Sequence, residues 1–402
     1  MRRRAVAAAL VALVSACASM VFATGGDPAR RGAPAATDMD LVVRDVCGKS
    51  VAFLGEAPMH GYGKTIEFKV ELVRRLIDEC HYNAFVIESG TYDFLNIQKA
   101  LSSGRPVTPA MLSAAIGGLW ANREMEPLIP FLLEKAQQGI VTLGGLDDQL
   151  GRGTYAQLQM PADLVAYLPG EAKPRCLAVL QKHTLWQYTD DAPYGAQDHA
   201  RIVDCLDRIG DGIATTSVRE APFRDLDLAA VASLKRLFAR DVREGVPPGA
   251  DVTQDLNDRD HSMFLNFRWW ISTRKAIVWT ATNHAAVDLS GVPGQERRTS
   301  LGAQVRETFK DTAFTLGFSA ASGSYAMGRQ PARALSVAPA ASLEGRAFIG
   351  TDADTRYFTR RELRGLGRIA ARPLGATFTT AAWDRVLDGL IVFREEHPPV
   401  AK

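Results

Sequence analysis

The chain has 402 residues, 47% of them apolar and 23% charged, with a formal net charge of +2. These values suit a folded protein of one large domain or two modest ones, and they exclude disordered, collagen-like and coiled-coil classes. A charge so close to zero also gives no general attraction for nucleic acid.

Residues 1–23 read as a signal peptide. Arg2-Arg3-Arg4 supplies a basic start, and Ala5 to Ala16 is an apolar run, shorter than the ~20 residues of a membrane-spanning helix. Two exits are open: cleavage after Ala23, behind Val21-Phe22-Ala23, or a lipid anchor on Cys17 within Val14-Ser15-Ala16-Cys17. A retained anchor, with the apolar run extending through Met20-Val21-Phe22, is the third outcome, and each route implies an exported, periplasmic or extracellular protein with no later membrane span. Losing the three arginines takes the formal charge from +2 to −1. Cys47, Cys80, Cys176 and Cys205 remain, an even set that favours disulfides in an oxidising compartment, with four buried free thiols as the alternative. Cys47 and Cys80 fall at one edge of a β-α-β unit, and Cys176 and Cys205 in successive helical segments.

Residues 24–38, rich in Gly, Pro, Ala and Arg, read as a flexible leader. The pattern then alternates. Val51-Ala52-Phe53-Leu54 is a short apolar strand, and from Thr65 to Cys80 apolar residues recur at helical spacing. Asn83 to Ile87 is a second strand; a helix from Glu124 through Glu134 leads to a third, Ile140 to Leu143. Strands apolar throughout, separated by amphipathic helices, predict an α/β fold with a mostly parallel sheet flanked by helices. Residues of about 155–272 read as a helical insertion or subdomain. The sheet resumes at Lys275 to Trp279 and Phe314 to Phe318, and Gly389 to Phe393 is expected as an edge strand.

In such sheets function gathers at the carboxyl ends of strands. The first strand runs into Glu56 and His60, the second ends at Glu88, the third leads to Asp147 and the fourth to His284. Asp147 is also a natural helix cap. Gly63-Lys64-Thr65 resembles the end of a phosphate loop, but the position that needs the first glycine is Pro58, which lacks an N–H and has a fixed φ. No G-x-S-x-G elbow or H-E-x-x-H helix is present. What remains is activation of water by a histidine whose carboxylate neighbours set its tautomer. On a later helix Arg259, Met263, Asn266 and Trp270 share one face. There Arg259 either pairs with a carboxylate or faces the pocket as an oxyanion donor.

These segments together resemble the erythromycin esterase family. The likeness runs through Gly55-Glu56…His60-Gly61, Lys69, Arg74, Phe85 to Glu88, Trp120 to Glu124 and Gly145-Leu146-Asp147. It continues through Arg259 to Met263, Asn266, Val278-Trp279…His284, Leu316-Gly317-Phe318 and Gly323-Ser324. The resemblance implies one α/β domain over residues 39–402 with a helical insertion beside a deep cleft. It also implies hydrolysis of an ester or lactone, with His60 as general base partnered by Glu56 and Glu88. His284, Lys69 and Arg259 would hold the carbonyl oxygen, and Asp147 joins the substrate-binding set. No cofactor is required by this scheme, although a bound divalent metal is left open. The sequence departs from the family pattern at three places: four steps separate Glu56 from His60 where three are usual, Lys64 stands where an acid often follows, and Ala281 replaces the first histidine of W-A-H-N-x-H. The alternative is a metal-chelate or small-ligand binding protein on the same scaffold without turnover.

Overall fold

A computed structural model describes residues 36–217, 222–240 and 251–402. The expected signal peptide, Cys17 and the leader up to position 35 lie outside the described residues. Thr37–Lys402 is one compact unit.

Its described residues form ten strands: β1 (Val51–Glu56), β2 (Ala84–Gly90), β3 (Thr142–Asp147), β4 (Ala276–Ala281), β5 (Ala313–Tyr325), β6 (Arg333–Leu335), β7 (Thr355–Thr359), β8 (Arg368–Ala371), β9 (Thr379–Ala382) and β10 (Gly389–Glu396). The main sheet has the order β3-β2-β4-β1-β5-β10-β7, with β6 against β5. Every pair from β3 to β10 along that order is parallel; only β7 and β6 are antiparallel to their neighbours. Every residue of β1 is buried, as expected for a parallel strand covered on both faces.

Several boundaries differ from the sequence reading. The third strand begins at Thr142 and runs on to Asp147, so Asp147 is itself a strand end. The helix expected from Glu124 starts at Leu128, behind Pro127. Gly389–Glu396 is not an edge strand: β5 lies on one side and β7 on the other. Apolar content marks a strand as buried but does not say which neighbours bury it.

Between Asp147 and Ala276 the described elements are helices, of which the longer are Ala172–Thr184, Ala196–Thr215, Arg224–Ala239 and Val252–Ile271. The last packs on β3, where Trp270 Nε1 donates to the carbonyl of Gly145 at 2.9 Å and Asn266 Nδ2 to that of Leu146 at 2.9 Å. Both expected disulfides are present. Cys47–Cys80 ties the Asp38–Cys47 helix to the end of the Gly63–Asp78 helix, and Cys176–Cys205 joins two helices of the insertion. Among the described residues no helix is long and apolar enough to cross a membrane.

Cys47 and Cys80 close a loop spanning 33 positions. Replacing both with serine should lower unfolding free energy by about 2–4 kcal/mol in denaturant titrations. An unchanged midpoint would show that the bridge adds nothing to stability.

Candidate active site

The strand order decides where the ionisable side chains meet. β4 lies between β1 and β2, and β3 flanks β2, so their parallel carboxyl ends share one rim. Glu56 is level with Ala281, and Gly90 with Asp147.

Glu56 ends β1 and is 1% exposed. Its Oε1 accepts from His60 Nδ1 at 2.7 Å, Trp120 Nε1 at 2.8 Å and, more weakly, Trp279 Nε1 at 3.3 Å; its Oε2 accepts from Lys69 Nζ at 2.8 Å. Burial pushes this carboxyl up, but Lys69 and His60 outweigh it and hold the group down at about 2. The extra residue in the Glu56–His60 turn does not aim Glu56 elsewhere. His60, at the end of that turn, takes φ 53°, a left-handed conformation uncommon for a side-chain-bearing residue. Gly61 follows because a Cβ there would stand 2.2 Å from the carbonyl oxygen of Ala326.

An ionised carboxylate only accepts, so the proton of the His60–Glu56 bond sits on Nδ1 and Nε2 is the basic nitrogen. Lys69 occupies a different place from the one its expected role needs. It is sealed from solvent, with Nζ on Glu56 and 3.9 Å from the Trp279 ring centroid. From there it holds Glu56 and has no route to a substrate oxygen. Burial is the largest influence on its ammonium, bringing it to about 8 against the pull of Glu56 and Glu88.

Glu88 forms the second centre. Its Oε2 accepts from the Thr280 hydroxyl at 2.6 Å and the Ala281 N–H at 2.8 Å. Its Oε1 lies 3.4 Å from both Arg259 Nη2 and His284 Nε2. Burial raises this group, yet His284, His60 and Arg259 hold it well below the usual carboxylate range. No direct Glu88–His60 hydrogen bond forms among the described contacts; the two interact through charge. Arg259 also donates to Asp147, from Nη2 at 2.5 Å and Nε at 3.3 Å. Asp147 therefore caps no helix: it pairs with Arg259 and accepts from the N–H of Gln149 at 3.3 Å. His284 Nδ1 lies 2.7 Å from Asp260, which also accepts from Arg298.

A cleft of about 760 Å³ opens over this rim, with Glu88, Asp147, Arg259 and Trp120 in its lining. Its walls include Ala110, Ala114, Ile116, Leu119 and Leu150. Residues at the carboxyl-terminal end of the chain clamp the Trp120 loop. The Val400 N–H meets both Glu124 oxygens at 3.0 Å, the Arg123 N–H donates to the Val400 carbonyl at 3.0 Å, and the Lys402 N–H reaches the Ala121 carbonyl at 3.3 Å. Among the described residues no three His, Cys, Asp or Glu side chains form a set that could hold a metal ion. The oxygens of Glu56 and Glu88 are instead taken up by Lys69, two indoles, Thr280 and Arg259.

The family described as "Erythromycin esterase" matches residues 77–386. The chain belongs to the erythromycin esterase family. Glu88, Asp147, Arg259 and His284 lie inside the matched segment; Glu56, His60 and Lys69 precede it. Among solved structures, a succinoglycan biosynthesis protein is similar at 14% identity with a TM-score of 0.68, covering 92% of this chain and 94% of that one. A Bacillus cereus protein is similar at 16% identity and 0.65, covering 93% and 96%. An erythromycin esterase with a histidine-to-asparagine substitution, in its open conformation, is similar at 12% identity and 0.58, covering 90% and 94%. At these identities the likeness shows the fold. Comparison with curated proteins gives no match.

Membership in the erythromycin esterase family makes hydrolase chemistry the coarse assignment. Where the family pattern has its first histidine, this member presents the Ala281 N–H to Glu88, beside the Thr280 hydroxyl. Lys64 does not replace the usual acid with a second charge at Glu56; its N–H donates to Glu396 at the start of the Gly63–Asp78 helix. Sequence reasoning gave no role to Trp120, Trp279, Asp260 or Arg298. Trp120 and Asp260 sit inside segments that carry the resemblance, but nothing in their spacing says they turn toward Glu56 and His284.

Because Glu56 is depressed in the folded state, its contribution to stability is full above the ordinary carboxyl value of 4.5 and is lost as pH falls toward about 2. Lys69→Met leaves burial opposed mainly by His60. The variant should lose about 3–5 kcal/mol at neutral pH and unfold at a higher pH on acidification, read by circular dichroism. An acid midpoint equal to wild type would contradict the coupling.

Proposed function

We propose that the protein is an exported hydrolase of ester or lactone bonds in which His60 activates water as general base. The observation that carries this reading is the Glu56–His60 contact, which leaves Nε2 as the basic nitrogen of a ring packed against Trp120, itself part of the cleft lining. In this scheme His60 Nε2 takes a proton from water as the oxygen attacks the substrate carbonyl. Arg259 and His284 face the oxygen that gains charge. The tetrahedral intermediate collapses with loss of the alkoxide, and the proton held on His60 passes to that leaving oxygen. Glu56 stays ionised throughout and orients the ring, while Lys69 and Trp120 hold Glu56.

The cleft suits a bulky, largely apolar substrate. Its walls carry small aliphatic side chains, with Glu88, Asp93, Asp147, Arg152 and Arg259 as the charged groups of the lining. Export is supported by the two disulfides, which persist in oxidising compartments. Ligand binding without turnover rests on Ala281 in place of the family histidine. The hydroxyl and N–H that meet Glu88 there supply neutral donors and keep the carboxylate oriented, so the loss does not empty the site.

His60→Ala should reduce kcat/KM on a panel of aryl esters and macrocyclic lactones by about two to four orders of magnitude, with an unchanged circular dichroism spectrum. Wild-type rates in that folded variant would reject the general-base assignment.

A further inference from the structure

His60 meets a carboxylate at one ring nitrogen, whereas His284 meets one at each. His284 follows β4 in the short Thr282–Ala285 helix and is 6% exposed. Its Nδ1 lies 2.7 Å from Asp260 Oδ1, and its Nε2 lies 3.4 Å from Glu88 Oε1. We propose that Asp260, braced by Arg298, is a positioning residue that fixes both the tautomer and the charge of His284. In this arrangement the ring serves as a proton-bearing donor and not as a second base. The inference rests on the hydrolase reading for its chemical consequence, but the state of the ring is measurable without substrate.

Asp260 is fully buried. Oδ1 accepts from His284 and from the Leu301 N–H at 3.0 Å, and Oδ2 accepts from Arg298 Nη2 at 2.8 Å. Every described partner of this carboxylate is therefore a donor, and the shared proton lies on His284 Nδ1. Across the ring, Glu88 also acts as an acceptor, because Thr280, Ala281 and Arg259 all donate to it. An imidazole between two acceptors binds a proton at each nitrogen. Burial works against that charge, as does Arg259 on the same Val252–Ile271 helix as Asp260. Glu88 and Asp260 outweigh both, and His284 is raised above its ordinary value.

Distance gives the two nitrogens different tasks. The 2.7 Å contact at Nδ1 is a formed hydrogen bond that anchors the ring. At 3.4 Å the Nε2 side is held by charge more than by a formed bond. That N–H keeps hydrogen-bonding capacity for a carbonyl oxygen in the proposed reaction. Adjacent helical residues point about 100° apart, so Arg259 and Asp260 reach different targets from one turn. Arg259 goes to Glu88 and Asp147, and Asp260 to His284.

The test uses the full chain with Asp260→Asn and Arg298→Gln, following the His284 ring by ¹H–¹⁵N NMR over a pH titration. The pH dependence of p-nitrophenyl butyrate hydrolysis is measured alongside. Asp260→Asn removes one anion, so the His284 midpoint should fall by about one to three pH units, and the alkaline limb of the rate profile should fall with it. Arg298→Gln strips a cation from Asp260, so both should move upward. The acid limb stays in place. Opposite displacements are not the product of a merely structural role, and either folded variant alone carries the sign. Unchanged ring midpoints in the folded variants, or a ring protonated at one nitrogen only in the wild type at pH 6, would overturn the proposal. Ring midpoints that shift as stated in a protein that cleaves no ester would support the positioning role and count against the hydrolase reading.

Discussion

A carboxylate sealed from water must find donors and a counter-charge close at hand, and Glu56 finds them in Lys69, His60 and two indoles. That requirement explains much of the surrounding structure. Lys69 has to sit on the inward face of the Gly63–Asp78 helix, so the helix cannot rotate without stranding a charge. Trp120 has to reach across from a separate loop, and that loop is in turn pinned by the backbone of Val400 and Lys402. A buried ion pair is weak evidence for net stability, since desolvation of two charges offsets their attraction. Its clearer effect is specificity: removing either partner leaves the other unsatisfied in a low-dielectric interior, which disfavours alternative packings.

The same logic extends along the rim. Glu56, Glu88, Asp147 and Asp260 face Lys69, Arg259, Arg298 and the ring of His284. Anions and cations alternate, so each charge is held by neighbours and little net charge is buried. Within that lattice the two histidines differ. His60 has one acidic partner, Glu56, and packs at an angle on Trp120, with ring centroids 4.9 Å apart. His284 lies between two carboxylates. In the proposed hydrolase, environment alone would thus make a base and a proton-bearing donor from the same kind of side chain.

The architecture was legible in the sequence because buried parallel strands read as continuous apolar runs and the helices between them as amphipathic periods. Glu56, His60, Glu88 and His284 could be placed on one rim for the same reason, since parallel strands deliver their carboxyl ends to one side. Other features were hidden by kinds of information that a linear pattern does not carry. The interior position of β10 depends on β7, whose Thr-Arg-Tyr-Phe-Thr stretch has no apolar run to announce it. Lys69 lies within the apolar stripe formed by Ile66, Val70 and Val73, a position that signals burial and a structural partner more than contact with substrate. Trp120, Trp279, Asp260 and Arg298 act through side-chain direction across long sequence separations, and nothing in local spacing encodes that.

The central claim is that ionised Glu56 fixes the His60 ring with its proton on Nδ1. Nitrogen-15 chemical shifts of the His60 ring, recorded in histidine-labelled protein near pH 8, measure this directly. A protonated Nδ1 together with a bare Nε2 is the expected result. A bare Nδ1 with the proton on Nε2 would contradict the account, because the ring's lone pair would then face Glu56 and leave Nε2 unable to accept a proton from water.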